Sequence, residues 1–444
     1  MADANQRLIS LDVFRGMTIA GMVLVNNPGT WSAIYDPLEH APWHGITPTD
    51  YIFPYFLFIV GVAIPIAFKK RMEIGVTKDV YLKILQRAAT IFTLGLLISM
   101  IPFFQFNDST GIPYVLKILL VLSFSTALFL YLLEKKTAAA ITAAVSVVIV
   151  LGFYFAGAEI LWYNFSTMRI PGVLQRIAVC YLIVSLIFLH TNWKQQVGIS
   201  VVLLLGYWLL MTLIPVPGCE IATIDDKACN LAAWIDRTIL TEAHMWRSAK
   251  VFDPEGTLST IPAIVTTLSG VLTGSWITRS TGSDESAIRN PQSAIETVAG
   301  LFFAGTVLLA IGWSWSLVFP LNKSLWTSSY SVYTSGLALL TLGFCYWLID
   351  IKGYKRWAWP FVVFGANALA LFVFSGLMAR LLGMIRFAGP DEGKDITLQQ
   401  WIFSNIFLSW LAPINASLAY AVCFILVWLF LMWLLYRKQI YIKV

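Results

Sequence analysis

Residues 173–214 read VLQRIAVCYLIVSLIFLH TNWKQ QVGISVVLLLGYWLLMTLI. Two apolar runs of roughly 18 residues flank a short polar turn. A helix of that length crosses a hydrocarbon core of about 30 Å, whereas a strand needs only about ten residues. In lipid every backbone amide must find its partner within the span, so each run reads as a helix. The same pattern recurs outward in both directions, giving twelve spans at about 8–29, 51–69, 84–104, 113–132, 137–157, 173–190, 196–214, 260–279, 293–313, 329–349, 359–383 and 416–436. The fold expected is an all-α, polytopic membrane bundle of about 12 transmembrane helices. Of the 444 residues, 58% are hydrophobic and 12% charged, against about 25% charged in soluble domains. This excludes a soluble globular protein, a disordered chain and a nucleic-acid binder. The net charge of +6 comes from short basic clusters between apolar runs. Many of the 18 Trp and 17 Tyr fall near run ends, as an interfacial belt requires. The polar N-terminus and a first run that contains Asp12 and Arg15 do not read as a cleavable signal peptide.

Lys and Arg set the orientation. With the N-terminus in the cytoplasm, the inside segments hold Arg7, the 69–87 group, Lys135, Lys136, Lys194, Arg279, Arg289, the 352–356 group, Arg437, Lys438 and Lys443. The outside segments hold fewer: Arg169, Lys227, Arg237, Arg247, Lys250, Lys323, Arg386 and Lys394. The bias predicts an even number of spans and two cytoplasmic termini, in a bacterial inner membrane. The chain reads as one transmembrane domain over 1–444 with a periplasmic loop at 215–259. Cys219 and Cys229 share that loop, which suggests a disulfide if the compartment is oxidising. Cys180, Cys345 and Cys423 lie in apolar runs and read as small buried hydrophobes. No CxxC or HExxH spacing occurs, and no metal is expected.

Polar residues within or at the ends of spans carry the functional signal. An ionisable group in hydrocarbon costs roughly 2.5–3.5 kcal/mol, so it is paired or lines a wet cavity. Asp12 and Arg15 lie three apart on one helix face and either neutralise each other or serve a site. Lys117 is near enough to a span end to snorkel. The first span stops at Asn26-Asn27-Pro28-Gly29. The short loop that follows holds His40 and His44, then Thr47-Pro48-Thr49-Asp50 opens the second span. Histidine exchanges protons near neutral pH; the plainer reading is a pair of interfacial rings beside Trp43. Gln175 and Arg176 open the sixth span, Asp253 and Glu255 precede the eighth, and Asn322, Lys323 and Trp326 precede the tenth. On the orientation above, all gather at the outer face, as a polar site that opens outward would require.

These stretches are also where the sequence resembles a known family. Ser10–Gly16 (SLDVFRG), His40-Ala41-Pro42-Trp43, Pro48–Gly61, Ile170–Arg176 (IPGVLQR), Val216–Cys219 (VPGC), Asp253–Gly256, Asn322–Trp326 (NKSLW) and Ser328–Tyr330 resemble, in order, the heparan-α-glucosaminide N-acetyltransferase family. The resemblance implies transfer of acetyl from cytosolic acetyl-CoA to a glucosamine amine across the membrane. It implies that His40 matches the active-site histidine and Asn26 the asparagine that ends the first core helix. The sequence departs from the lysosomal member in having no large luminal N-terminal domain and in two extra spans at 113–157. The loop between Asn26 and His40 is longer, and His44 stands where that enzyme has asparagine. Bacterial relatives of this kind are thought to act on small amino sugars or peptidoglycan fragments, consistent with peptidoglycan recycling.

The chemistry follows from the residue types. A neutral His40 accepts the amine proton or attacks first to form an acetyl-imidazole. Asn26 offers an oxyanion donor, a kind of contact whose loss costs about 2.7–4 kcal/mol. Asp50 orients a histidine, and Asp253 or Glu255 pairs with the sugar ammonium. His44 and Asn322 complete the acceptor side. Arg15, Gln175, Arg176, Lys323 and Trp326 are expected on the acetyl-CoA side. Arg15 and Asn26 lie eleven residues apart on one helix, about 16 Å, a gap that a pantetheine arm can span. An amino-sugar transporter, an O-acyltransferase of the same superfamily and a structural scaffold are the competing readings. Partners expected are a small amino sugar, the lipid bilayer and, permitted by the small-residue spans, a second copy of the chain.

Overall fold

The computed structural model describes residues 8–101, 104–106, 112–155, 160–280, 291–389 and 395–442. Arg7, Arg289, Lys394 and Lys443 of the charge-bias argument lie outside them. In chain order the helices are α1 Ile9–Asn26, α2 Ile52–Ile74, α3 Lys78–Ser99, α4 Ile112–Leu132, α5 Lys136–Phe155, α6 Val173–His190, α7 Trp193–Leu213, α8 Leu231–Ile239 and α9 Thr260–Ser280, followed by α10 Pro291–Ser316, α11 Ser328–Cys345, α12 Trp359–Ala366, α13 Ala368–Met384, α14 Leu398–Ile402 and α15 Pro413–Arg437. Two short antiparallel ribbons complete the described chain: Phe104–Phe106 with Ile160–Trp162, and Arg386–Ala388 with Asp395–Thr397. Among the described residues eleven helices are long and apolar enough to cross a membrane, or up to twelve if a broken pair counts as one span. The expected all-α polytopic bundle is therefore the observed fold.

The turn inside the opening stretch has a local cause. Asn192 caps α7 by accepting from the Gln195 amide at 3.1 Å, and Gln195 returns the bond to the Asn192 amide at 2.9 Å. This reciprocal box satisfies N–H groups that a helix start leaves open. Two predicted spans differ from the structure. The third begins at Lys78 rather than 84, because its first turns carry Asp79 and Lys83, which an apolar window discounts. The eleventh is interrupted at Asn367, whose φ of −132° and ψ of 39° leave the helical region.

Contacts divide the chain into two units, with boundaries inside α1 and α3: residues 1–18, 37–96 and 167–365, and residues 19–36, 97–166 and 366–444. The first unit is built around α2 and α9. A Cβ on Gly61 would lie 2.0 Å from the Thr267 carbonyl oxygen, one on Gly270 2.0 Å from that of Phe58, and one on Gly274 2.4 Å from that of Val62. Only glycine lets the two backbones approach so closely. Val13, Phe14, Phe58, Leu301, Ala338 and Ile349 form its apolar core, with the Phe14 and Tyr55 rings edge to face at 5.1 Å. A second cluster, with Tyr207, Met211, Val216, Leu231 and Phe319, ties α7 to the 215–259 loop. In that loop Asn230 caps the short helix α8 by accepting from Ala233 N at 2.9 Å.

In the second unit α4 and α5 pair as a hairpin. Asn367 donates to the Ile440 carbonyl at 3.0 Å and accepts from the Ile442 amide at 2.8 Å. The amide that breaks the helix thus fastens the segment after α15. The Thr30 amide donates to the Ser417 hydroxyl at 3.2 Å, so the chain leaving α1 is held at the start of α15.

Candidate functional site

Asp50 is the hub of the site. It sits in a single helical turn, Pro48–Tyr51, that leads into α2, and its side chain is 1% exposed. One carboxylate oxygen accepts from the Ala41 amide at 3.1 Å and the Thr47 amide at 3.0 Å. The other lies 2.7 Å from His40 Nδ1. The Thr47 hydroxyl donates to the Glu39 carbonyl at 2.6 Å and closes the loop. A buried carboxylate cannot donate, so the ring nitrogen that faces it carries the proton. Nε2 of His40 is then left with its lone pair, the tautomer a general base requires. His40 itself is half exposed. A half-exposed imidazole therefore stands on a carboxylate that is buried and fixed.

Lys323 approaches the same ring. Its Nζ lies 3.0 Å from both His40 ring nitrogens and 3.8 Å from the Asp50 carboxylate. The residue is presented by a tight turn: Leu325 N donates to Asn322 Oδ1 at 2.9 Å, and Thr327 N donates to the Asn322 carbonyl at 3.1 Å. The turn requires a φ of +49° at Trp326, a left-handed conformation that a bulky residue adopts at a cost of order 1 kcal/mol or more. Burial lowers the Lys323 pKa from the usual lysine range, against the opposing pull of Asp50 and Glu255.

His44 forms a second pair. Its Nε2 lies 2.9 Å from Asp225, and its Nδ1 lies 3.3 Å from the side-chain amide of Asn322. The Trp43 indole donates to the Ile224 carbonyl at 2.9 Å, and its ring meets Phe252 edge to face at 5.1 Å. The histidine loop is thus tied at three points to the 215–259 segment. Cys219 and Cys229 in that segment are joined by a disulfide.

Around this centre stand two arginines. Arg169 donates through Nε and Nη2 to Asp253, at 3.0 and 2.7 Å, and through Nη2 to Glu255 at 2.6 Å. Burial depresses its pKa, but these carboxylates outweigh it and hold the guanidinium above its ordinary range. Asp253 also accepts from the amides of Trp246 and Glu255, at 2.8 and 3.0 Å. All its lone-pair directions are therefore engaged by the protein, which leaves Glu255 as the member of the pair able to take an external cation. Arg176, 2% exposed, donates through Nη2 to the Gly256 carbonyl at 3.0 Å and to the Ser259 hydroxyl. Its charge lies 5.2 Å from the Trp326 ring, while Nε and Nη1 have no hydrogen-bond partner among the described residues. Trp326 is fully buried and donates to the Thr266 hydroxyl at 3.1 Å. It therefore supports Arg176 from within the bundle.

The structure brings His40, His44, Asp50, Asn322 and Lys323 together, and lines the neighbouring turns with Arg169, Asp253 and Glu255. Gln175 is buried against Gly95 and Gly172. Arg15 lies 3.3 Å from Asp12 on the same helix face, the self-neutralising arrangement that their spacing allowed. Asn26 ends α1 with an exposed side chain, in the other unit. Asp225 and Asp236 were not singled out in the sequence. Asp236, buried in α8, accepts from the Thr257 amide at 2.8 Å and touches Gly256. Burial is the main cause pushing its pKa up to about 6, and Asp253 adds to it. Among the described residues no cluster of three or more His, Cys, Asp or Glu is arranged to hold a metal ion.

Fold and site together define a polytopic membrane protein with a carboxylate-buttressed histidine at a helix entrance. A family model described as heparan-α-glucosaminide N-acetyltransferase, catalytic, matches residues 7–171, a stretch that holds His40 and Asp50. The human heparan-α-glucosaminide N-acetyltransferase is 25% identical over an alignment that covers 99% of this chain and 60% of its own length. The mouse protein of the same name is 27% identical, covering 83% of this chain and 53% of its own. The chain thus spans a little over half the length of the curated relatives it matches. The resemblance carried by the short motifs therefore extends along most of the sequence.

Proposed function

We propose that this chain is a transmembrane acetyltransferase of the bacterial cytoplasmic membrane. It takes acetyl from cytosolic acetyl-CoA and delivers it to the amine of glucosamine or a related amino sugar at the periplasmic side, with both termini in the cytoplasm. The observation that carries this reading is the 2.7 Å contact between His40 Nδ1 and the buried Asp50. Acetyl transfer to an amine needs a base of this kind: Nε2 accepts the amine proton as the nitrogen attacks the thioester carbonyl. The tetrahedral intermediate collapses with loss of the thiolate, and the imidazolium returns a proton to the sulfur. The disulfide supports the assignment of sides, since the loop it closes is bonded to the histidine loop and disulfides persist in oxidising compartments.

Glu255 is the proposed partner for the sugar ammonium. The unengaged N–H groups of Arg176 and the ammonium of Lys323 suit an anionic part of the donor. Asn26 is proposed as the oxyanion donor on its match to the family motif alone. The mechanism needs no resident cofactor beyond acetyl-CoA as co-substrate.

The test uses the full chain purified in detergent with acetyl-CoA and a panel of amines, reading released thiol. Thiol release that depends on an amino sugar, without any sealed vesicle, is expected, and His40→Ala should reduce it to background. Uptake of unmodified sugar into vesicles with no thiol release would replace this reading with transport. Product on a hydroxyl acceptor alone would replace it with O-acylation.

A further inference from the structure

Asn322 is fully buried, and both ends of its side-chain amide are committed. Its oxygen accepts from Leu325 N at 2.9 Å, so the end that faces His44 Nδ1 at 3.3 Å is the NH2. An amide nitrogen donates and does not accept, so His44 Nδ1 is the acceptor and carries no proton. The neutral ring then holds its proton on Nε2, which donates to Asp225 at 2.9 Å. Both ring nitrogens are thereby engaged, and the acceptor-side role expected of His44 would need one of them free. Asp225 is 79% exposed, but it lies within the ring that Cys219 and Cys229 close. The neighbouring Ile224 carbonyl in that ring accepts from the Trp43 indole at 2.9 Å. Two adjacent bonds thus hold the Asp225 carboxylate opposite His44. On the other side, Gly45 N donates to the Leu321 carbonyl at 2.8 Å, so the histidine loop meets the Asn322 turn through backbone as well as side chain.

That turn requires a hold from outside. Trp326 sits at a φ of +49°, and a left-handed backbone at a bulky residue persists only where its surroundings fix it. Without the imidazole the Asn322 NH2 would be buried and unpaired, which costs more than the bond itself contributes. The amide would then swing away and release Leu325 N. We propose that His44 is a positioning residue: fixed between Asp225 and Asn322, it holds the Asn322–Thr327 turn in place and so sets Lys323 beside His40. This rests on the acetyl-transfer reading for what Lys323 does there, which is to face an anionic part of the donor. The position needs one acceptor and one donor on the same side chain, a pair that a glutamine amide also offers.

The experiment compares wild type, His44→Leu and His44→Gln as detergent-purified full chain. It uses steady-state kinetics with acetyl-CoA and glucosamine, and hydrogen exchange over residues 322–327. A buried donor left without an acceptor corresponds to roughly tenfold at the low end. His44→Leu should raise the acetyl-CoA KM by about that factor, leave the glucosamine KM within about twofold, and speed exchange at Leu325 and Thr327 by a similar factor. His44→Gln should recover most of both losses. Leucine fills the place of the ring as well as glutamine does, so packing alone would not separate the two variants. A His44→Leu protein that raises only the glucosamine KM, or that keeps wild-type exchange over 322–327, overturns the proposal. Should His44→Leu fail to fold, Asp225→Lys decides between the same results: at an exposed position it sets a donor against Nε2, moves the ring proton to Nδ1 and turns two donors on each other at Asn322. If the wild type releases no thiol with any amine, the acetyl-transfer reading falls, and the exchange comparison alone supports or overturns the hold of His44 on the turn.

Discussion

Replacing Asp50 by asparagine tests the centre of the mechanism, because the amide keeps one half of the contacts and inverts the other. Two backbone amides, Ala41 and Thr47, donate to one Asp50 oxygen at 3.1 and 3.0 Å. The amide oxygen of asparagine must take that position, since its NH2 would face two donors there. The NH2 then faces His40 Nδ1, where a carboxylate oxygen now lies at 2.7 Å, and donates to it. The proton moves to Nε2, and the ring can no longer accept a proton from the substrate amine. Where the equivalent change imposes the wrong tautomer on a His–Asp pair, the rate falls about 10⁴-fold, about 5 kcal/mol of transition-state stabilisation. Asp50→Asn should therefore lower the rate of thiol release by 10³–10⁴-fold with a melting temperature close to wild type. The double variant His40→Ala/Asp50→Asn should be no slower than His40→Ala alone, because residues that act as a unit are not additive. An Asp50→Asn protein within about threefold of the wild-type rate would show that Asp50 only holds the loop, and would refute the tautomer argument.

Three further outcomes follow from the same geometry. Reducing the Cys219–Cys229 disulfide, which closes a ten-residue separation, should cost about 3 kcal/mol on loop-entropy grounds, seen as a lower melting temperature in reductant that Cys219→Ser/Cys229→Ser reproduces without it. Asp236 has a pKa raised from 3.8 to about 6, so its ionisation opposes the folded state. That penalty, about 3 kcal/mol at full ionisation, is present above pH 6 and relieved as pH falls toward 4. Asp236→Asn should stabilise the protein at pH 7.5 and flatten this part of the stability profile; an unchanged slope in thermal melts would count against it. Arg169→Met leaves the buried Asp253 charge without its guanidinium and should destabilise by about 3–5 kcal/mol, whereas Arg169→Lys should recover part of the loss.

The spans were legible in the sequence because lipid imposes a length and a polarity on each segment independently of its neighbours. The ends were less so: α3 carries charged residues in its first turns, and composition runs on across Asn367 although the helix stops there. His40, Asp50 and Lys323 were legible as polar residues without a reason to border an apolar run. Their arrangement was not. The bond from His44 to Asp225 joins positions 181 apart, and nothing local to Asp225, one of two adjacent aspartates in an exposed loop, marks it. Asp253 looked available for a substrate ammonium because sequence shows a carboxylate and not the four donors folded around it. Asp236 was hidden by the same limit in reverse: an acid in a short amphipathic helix reads as solvated until packing against Gly256 buries it.

The glycine seam between α2 and α9 bears on how the molecule works as well as on how it packs. With backbone oxygens 2.0–2.4 Å from where side chains would begin at Gly61, Gly270 and Gly274, the two helices pack backbone to backbone, a contact that any side chain there would force apart. Asp50 stands at the entrance to this pair and Lys69 near its far end. A carrier that rocks between inward- and outward-open shapes needs a joint somewhere in its scaffold, and this pairing denies it one here. A fixed strut suits a machine in which reactants travel and the frame stays still.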